Sequence, residues 1–376
     1  MKQAAYDLCY LAACAVNEIT PAREKIEKMN LENVYKMSRA HSLSALAAMA
    51  LSSAQTEISP EWKAEKDKSV RNNILFDNER AQILGFMEKQ GVRYLPLKGI
   101  ILKSLYPKIG MREMADNDIF FDEAYRNDVR LFMESRGYVT EHFGRSHHDV
   151  YTTAPIFNFE LHTELFSEET SKLFYSYYKN IGDRWIPDEG KSYGYHMSED
   201  DHYVYMTAHE YKHFVAGGTG LRSLLDRYVY LLKKADTLHF DYIDAQCRML
   251  GIDAFEKDAR SLCRKVFGSG ISLELNESET EMLEYYMFST TYGTMTQLIQ
   301  HQLQKKYGQT SRAAKTKYLF SRIFPTLDFY KKNYPLAYRC KILIPFAWLY
   351  RLVRAIFVRR KQIAREWDIV NKIDTK

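Results

Sequence analysis

The chain has 376 residues, more than one compact core usually holds, so two or three structural units are expected. At 46% hydrophobic and 27% charged, with only 9 prolines and 17 glycines, it is no disordered chain, collagen-like repeat or linker protein. The net charge of +5 is uneven: 18 Lys/Arg stand against 4 Asp/Glu from His301 onward, and 35 against 44 before it, which points to an anionic partner near the C-terminus.

Residues 1–88 read as an N-terminal helical segment. Apolar positions recur at three-to-four spacing, as in Leu43, Leu46, Met49 and in Ile74, Leu75, Ile83, Leu84, Met87, with a break at Pro60. Leu11-Ala12-Ala13-Cys14 has the form of a lipoprotein cleavage box, but Asp7 interrupts the apolar run such a signal needs, and a packed helix is the better reading. The five cysteines, odd in number and with no C-x-x-C pair, fit a reducing cytoplasm.

Residues 89–190 have a different texture. Val92–Leu97 reads as a short strand entering Lys98-Gly99, and Ile100–Tyr106 as the first turns of a helix stopped by Pro107. Met114–Phe121 and Ile156–Leu161 are further strands, with a helix over Tyr125–Arg136 ending at Gly137. Residues 191–376 are helical again. The fold class is therefore α+β, a small mixed β-sheet core flanked by helical segments. No stretch is long and apolar enough for a transmembrane span. Ile342–Val358 is cut by Pro345, Arg351 and Arg354; a helix packed on its own domain with a wet basic face is the better reading, and over 342–360 a membrane surface or a partner protein is the alternative.

Asp116-Asn117-Asp118 carries the chemistry. Residues two apart on a strand share a face, and two carboxylates crowded together favour a divalent cation between them. Oxygen ligands beside phosphate suit magnesium. Glu160 on the later strand shares a face with His162, away from Phe157, Phe159 and Leu161. Upstream, Gly99 permits close backbone approach, the following N–H groups can hold phosphate oxygens, and Lys98 or Lys103 adds charge. Strand, glycine turn, paired acids and a third acid describe a two-metal phosphoryl-transfer site.

Leu97-Lys98-Gly99-Ile100, Tyr106, Arg112, Asp116-Asn117-Asp118-Ile119, Gly137-Tyr138 and Glu160-Leu161-His162 together resemble the uncharacterised nucleotidyltransferase family of the DNA polymerase beta superfamily. The likeness continues through Ala208-His209, His213, Gly220-Leu221-Arg222, Leu225-Asp226, Phe324-Pro325, Tyr334-Pro335 and Ile344-Pro345, or roughly residues 70 to 360. The resemblance implies a nucleotidyltransferase core in which Asp116, Asp118 and Glu160 bind two Mg2+ ions (or Mn2+) and hold an NTP such as ATP. It also implies that Lys98, Gly99, Lys103 and Arg112 lie near the triphosphate, and that His162, His209, His213 and Asp226 line the cleft. The acceptor, whether small molecule, sugar, protein or RNA, is left open. Two departures stand out: Ile100 where the superfamily has Gly or Ser, and Asn117 where it is often apolar.

Two readings compete. One is a catalytically inactive nucleotide-binding module of the same fold. The other is a zinc peptidase, because His209-Glu210-Tyr211-Lys212-His213 has the form H-E-x-x-H. Lys212 inside that motif argues against it, since such a site is dry. His147-His148-Asp149 reads as a solvated loop or strand end ahead of a cleft-lining role, and Tyr203, Tyr205 and Tyr211 as packing ahead of base stacking.

Overall fold

In the computed structural model, which describes residues 1–141, 143–268, 274–289, 311–327, 329–330, 334–358, 367 and 370, five helices precede the first strand. They are α1 (Lys2–Val16), α2 (Arg23–Ile26), α3 (Leu31–Ala40), α4 (Ser44–Ser53) and α5 (Pro60–Gln90). Pro60 sits in the first turn of α5, where its missing N–H costs nothing, and Gly91 ends the helix at φ +74°, the left-handed conformation glycine adopts freely. Cys14 is fully buried in α1, as the packed-helix reading requires.

The central elements are β1 (Tyr94–Pro96), α6 (Gly99–Leu102), β2 (Asn117–Phe121), α7 (Arg126–Ser135), β3 (Val139–Glu141), β4 (His148–Thr153) and β5 (Phe157–His162). They form a mixed five-stranded sheet in the order β1-β2-β5-β4-β3, with β2 and β5 parallel and the other pairs antiparallel. After α8 (Lys172–Tyr178) and the small hairpin β6 (Ile186–Pro187) and β7 (Tyr195–His196) come α9 (Glu199–Ala216), α10 (Leu221–Lys234), α11 (Phe240–Met249), α12 (Asp253–Phe267) and α13 (Glu277–Ser289).

Two strands differ from their sequence reading. The chain before β2 stays irregular to Asp116 because α5 holds it: Ser69 donates to the Gly110 carbonyl (2.8 Å) and Asn73 to that of Arg112 (3.2 Å). The His147-His148-Asp149 stretch is a strand end, as the sequence allowed, but the strand it opens, β4, was not read from the sequence and pairs along the whole of β5.

Alternation fixes the two faces of the sheet. Ile119 and Phe121 of β2, Phe159 and Leu161 of β5 and Tyr151 of β4 point to one side, where Phe76, Ile83 and Met87 of α5 and Val129 and Met133 of α7 cover them. The α5 residues recur at helical spacing, and burying each large side chain contributes about 1.5–3 kcal/mol. Asn117 also faces this side, where it accepts from Arg80 of α5 (2.8 Å). Asp118, Phe120, Glu160 and His162 are thereby left on the opposite face.

The chain forms two units, residues 1–212 with 220–291, and 213–219 with 292–376. In the first, His41 after α3 joins the later helices: its Nδ1 accepts the Leu221 N–H (3.1 Å), so Nε2 carries the proton and donates to the Met287 carbonyl (3.0 Å). Burial pushes its pKa down to about 4. An unfolded histidine takes up a proton near pH 6.5, so the folded chain loses stability as pH falls from about 6.5 to about 4 and is unaffected above that window. The expected slope is about 1.4 kcal/mol per pH unit for this residue. Urea unfolding between pH 4.5 and 7.5 checks it, and His41→Gln should flatten that dependence by about one proton.

The second unit contains α14 (Arg312–Ile323), α15 (Pro335–Arg339) and α16 (Ile344–Val358). Trp348 and Arg351 of α16 both donate to the Ile323 carbonyl (3.0 Å each), so Arg351 serves the end of α14. Residues 359–360 of the proposed docking segment lie outside the described residues. Among the described residues no helix is long and apolar enough to cross a membrane.

Candidate functional site

The parallel pairing of β2 with β5 sets Asp118 beside Glu160 and Phe120 beside His162, and β4 adds His148 opposite His162. Asp118 Oδ1 accepts from Lys98 Nζ (2.6 Å) and from His162 Nε2 (2.8 Å). Its Oδ2 takes no hydrogen bond among the described residues. Glu160 Oε2 lies 3.8 Å from the Nε2 atoms of both His148 and His162, too far for a hydrogen bond.

These distances order the charges. Burial raises the Asp118 pKa, but the Lys98 ammonium and the His162 ring outweigh it and hold the carboxyl well below the usual range. Glu160 has no such partner. Burial, then the charges of Asp118 and Asp116, push it up to about 7. Asp116, in the residue before β2, is raised for the same reasons, burial first and Asp118 second. Burial likewise lowers His162 to about 4 and His147 to about 3, leaving both rings neutral near pH 7. Three acids with unfilled oxygens and mutual repulsion fit a divalent cation. Within 4.8 Å of one another, however, stand Asp118, Glu160 and His162; Asp116 is outside that group.

The Lys98 turn is built differently from a phosphate loop. Lys98 adopts φ +47° and ψ −117°, a conformation that costs a non-glycine residue about 1–3 kcal/mol and is typical of functional sites. The Ile100 N–H donates to the Leu97 carbonyl, and those of Ile101 and Leu102 to the Lys98 carbonyl, so these donors are taken within the turn. Gly99 is required by a side chain: a Cβ there would collide with the Arg112 guanidinium. Ile100 packs into the core under the sheet, which explains why no hydroxyl stands at that position.

The remaining predicted residues are placed as follows. Arg112 makes a two-pronged ion pair with Asp226 (Nε–Oδ1 2.8 Å, Nη2–Oδ2 2.9 Å), to which Tyr106 adds a hydroxyl (2.8 Å), and all three are buried. Lys103 is ion-paired with Asp77. The His209 ring lies 6.2 Å from that of Tyr205, and His213 belongs to the second unit. Glu210, the base a zinc peptidase would need, is buried against the fully buried Arg227 and accepts the Tyr286 hydroxyl (2.7 Å). Its carboxylate is structural.

Three contributors escaped the sequence. Lys212 of α9 feels the charges of Lys98, Asp118 and Glu160, and burial followed by Lys98 lowers it to about 8. Its ammonium stands 5.7 Å over the Phe166 ring and has no ion-pair partner among the described residues. The Tyr205 hydroxyl is buried without a hydrogen bond and senses the same three charges. His148 enters through strand pairing. One signal was present: a lysine seven residues after a tyrosine on one helix shares its face. A cavity of about 420 Å³ opens beside the strand ends, lined among others by Phe120, Thr163, Phe166 and Trp185. Asp116, Asp118 and Glu160 are not in its lining, so the charges rather than the hollow define the site.

The family model for uncharacterised nucleotidyltransferases matches residues 27–268, reaching further into the N-terminal helices than the motifs do and stopping before the C-terminal segment. No curated protein and no solved structure matches the chain. With the match covering more than half of the 376 residues, the mixed sheet and its flanking helices are those of a chain that belongs to the uncharacterised nucleotidyltransferase family.

Proposed function

We propose that the protein transfers a nucleoside monophosphate from an NTP, ATP being the first to test, to an acceptor hydroxyl. The observation that carries this reading is the pairing of Asp118 with Glu160 on adjacent parallel strands, with oxygens open to a cation and Lys98 alongside. The acceptor oxygen attacks the α-phosphorus, the bond to the β-phosphate oxygen breaks, and pyrophosphate leaves. Two Mg2+ ions, or Mn2+, held by Asp116, Asp118 and Glu160, would neutralise the triphosphate and polarise the reacting phosphorus. Glu160 acts as ligand or as the base that takes the acceptor proton. Lys98 exchanges Asp118 for a triphosphate oxygen, and Lys212 supplies a second ammonium from α9. Arg112 and Lys103 act through their ion pairs with Asp226 and Asp77, fixing the Lys98 turn from behind.

The inactive-module reading is favoured by one observation, the Lys98–Asp118 ion pair that already neutralises the central acid. Incubation with each NTP and Mg2+ or Mn2+ and a panel of hydroxyl acceptors separates the two. Pyrophosphate release above a protein-free control is the expected result. An NTP-induced rise in Tm with no pyrophosphate under any condition would establish the module instead.

A further inference from the structure

Beside the acids stands a second cluster of different chemistry. One nitrogen from each of His147, His148 and His162 lies within 4.8 Å of one from each of the others. The rings converge, with centroids 4.6 Å apart for His147–His148 and 5.0 Å for His148–His162. His147 Nε2 and His148 Nδ1 are 3.3 Å apart. Two nitrogens bound to one tetrahedral zinc at about 2.0–2.1 Å are separated by about 3.3 Å.

The tautomer of His162 agrees with this. His162 gives its Nε2 proton to Asp118, which leaves Nδ1 a bare lone pair. That nitrogen belongs to a side chain 3% exposed and has no hydrogen-bond partner. A buried ring nitrogen without a partner is costly, and a cation is the ligand a lone pair accepts. The other nitrogen is held by a hydrogen bond in two of the rings, to Asp118 for His162 and to Ser146 Oγ at 3.1 Å for His147, while that of His148 has only the Glu160 charge 3.8 Å away. Ligating histidines are oriented by such outer partners.

The backbone holds the cluster in place. The His147 carbonyl accepts the Thr163 N–H (2.9 Å), tying the loop to the end of β5. Asp149, fully buried, binds Arg126 through two bonds (2.7 and 2.8 Å) and accepts the Gly144 N–H (2.8 Å). His148 and His162 are register partners on β4 and β5.

We propose that His147, His148 and His162 form a three-histidine site for a borderline divalent transition metal, zinc above all, distinct from the oxygen site at Asp118 and Glu160. Neutral nitrogen donors discriminate against magnesium, which prefers oxygen, so the two neighbouring sites select different ions. Three protein ligands leave a fourth position for water or for a substrate atom.

Titration of the chelator-stripped full chain with Co2+, followed by visible absorption, tests the assignment, with Zn2+ as competitor. The expected result is one Co2+ per chain with the intense bands of a tetrahedral site, displaced by Zn2+ and retained in millimolar Mg2+. His147→Ala and His148→Ala should each weaken Co2+ binding by more than about 100-fold, since outer-partner changes alone cost about 10–100-fold. Glu160→Gln, whose carboxylate stands 3.8 Å from the His148 and His162 rings, should weaken it less than either, and His209→Ala should keep it. Circular-dichroism melting of each variant reports folding, and the half-buried His147 decides if His148→Ala does not fold. No tetrahedral band in the wild type, binding unchanged in His147→Ala, a loss in Glu160→Gln as large as in His148→Ala, or any loss in His209→Ala would each overturn the site.

Discussion

Asp118→Ala is expected to lower pyrophosphate release by at least about 1,000-fold, the scale on which removing a centre of charge stabilisation acts. The loss is not interpretable alone. Asp118 is the ion-pair partner of a partly buried Lys98 and holds His162, so the variant leaves that ammonium without its counter-charge and destabilises the fold. Glu160→Gln isolates the chemistry. Glu160 makes no hydrogen bond among the described residues, and its carboxyl is raised to about 7 by burial and by Asp118 and Asp116. A raised acid costs stability once pH exceeds its unfolded value near 4.3, and the full cost is present above about pH 7. Glu160→Gln should therefore be about 1–3 kcal/mol more stable than wild type at pH 8 while losing pyrophosphate release by a similar factor to Asp118→Ala. Unchanged release in both variants would remove the basis for the proposed reaction. A loss of stability in Glu160→Gln would remove the electrostatic account of the site.

Asp226→Asn should cost about 3–5 kcal/mol, because the Arg112 guanidinium would remain buried beside the Tyr106 hydroxyl without its counter-charge. Equilibrium urea unfolding measures it. The double variant Arg112→Met, Asp226→Leu should recover most of the loss, since well-packed apolar side chains often replace a buried ion pair at little cost. NTP affinity distinguishes the two roles considered for Arg112. If the arginine acts only by packing behind Gly99, space that the methionine side chain also fills, the double variant binds NTP nearly as well as wild type. A drop in affinity of about tenfold or more, with stability recovered, would return Arg112 to the triphosphate.

The same pair shows what sequence reading cannot see of a cation. A lysine or arginine near an acidic motif is attractive as a phosphate ligand, but its partner can lie far along the chain. Arg112 meets Asp226 across 114 residues, and Lys103 meets Asp77 across 26. Glu210 is a parallel case. Its H-E-x-x-H spelling points to zinc, and its position against Arg227 and Tyr286 makes it part of the helical core.

What the sequence determined was local and periodic. Alternation in Asn117–Phe121 and Phe157–His162 assigned Asp118, Glu160 and His162 to faces away from Asn117, Phe157, Phe159 and Leu161, because a strand has a side-chain period of two whatever surrounds it. Helical spacing assigned α5, and the Lys98-Gly99 break assigned the turn. The family likeness rests on these same short motifs. Tertiary structure decided what stands opposite what. It put Asp118 beside Glu160 by parallel register, brought β4 and its histidines against β5, and turned Lys212 and Tyr205 toward the acids. Those neighbours are fixed by strand pairing and helix packing between distant segments, contacts that no periodicity within a segment encodes.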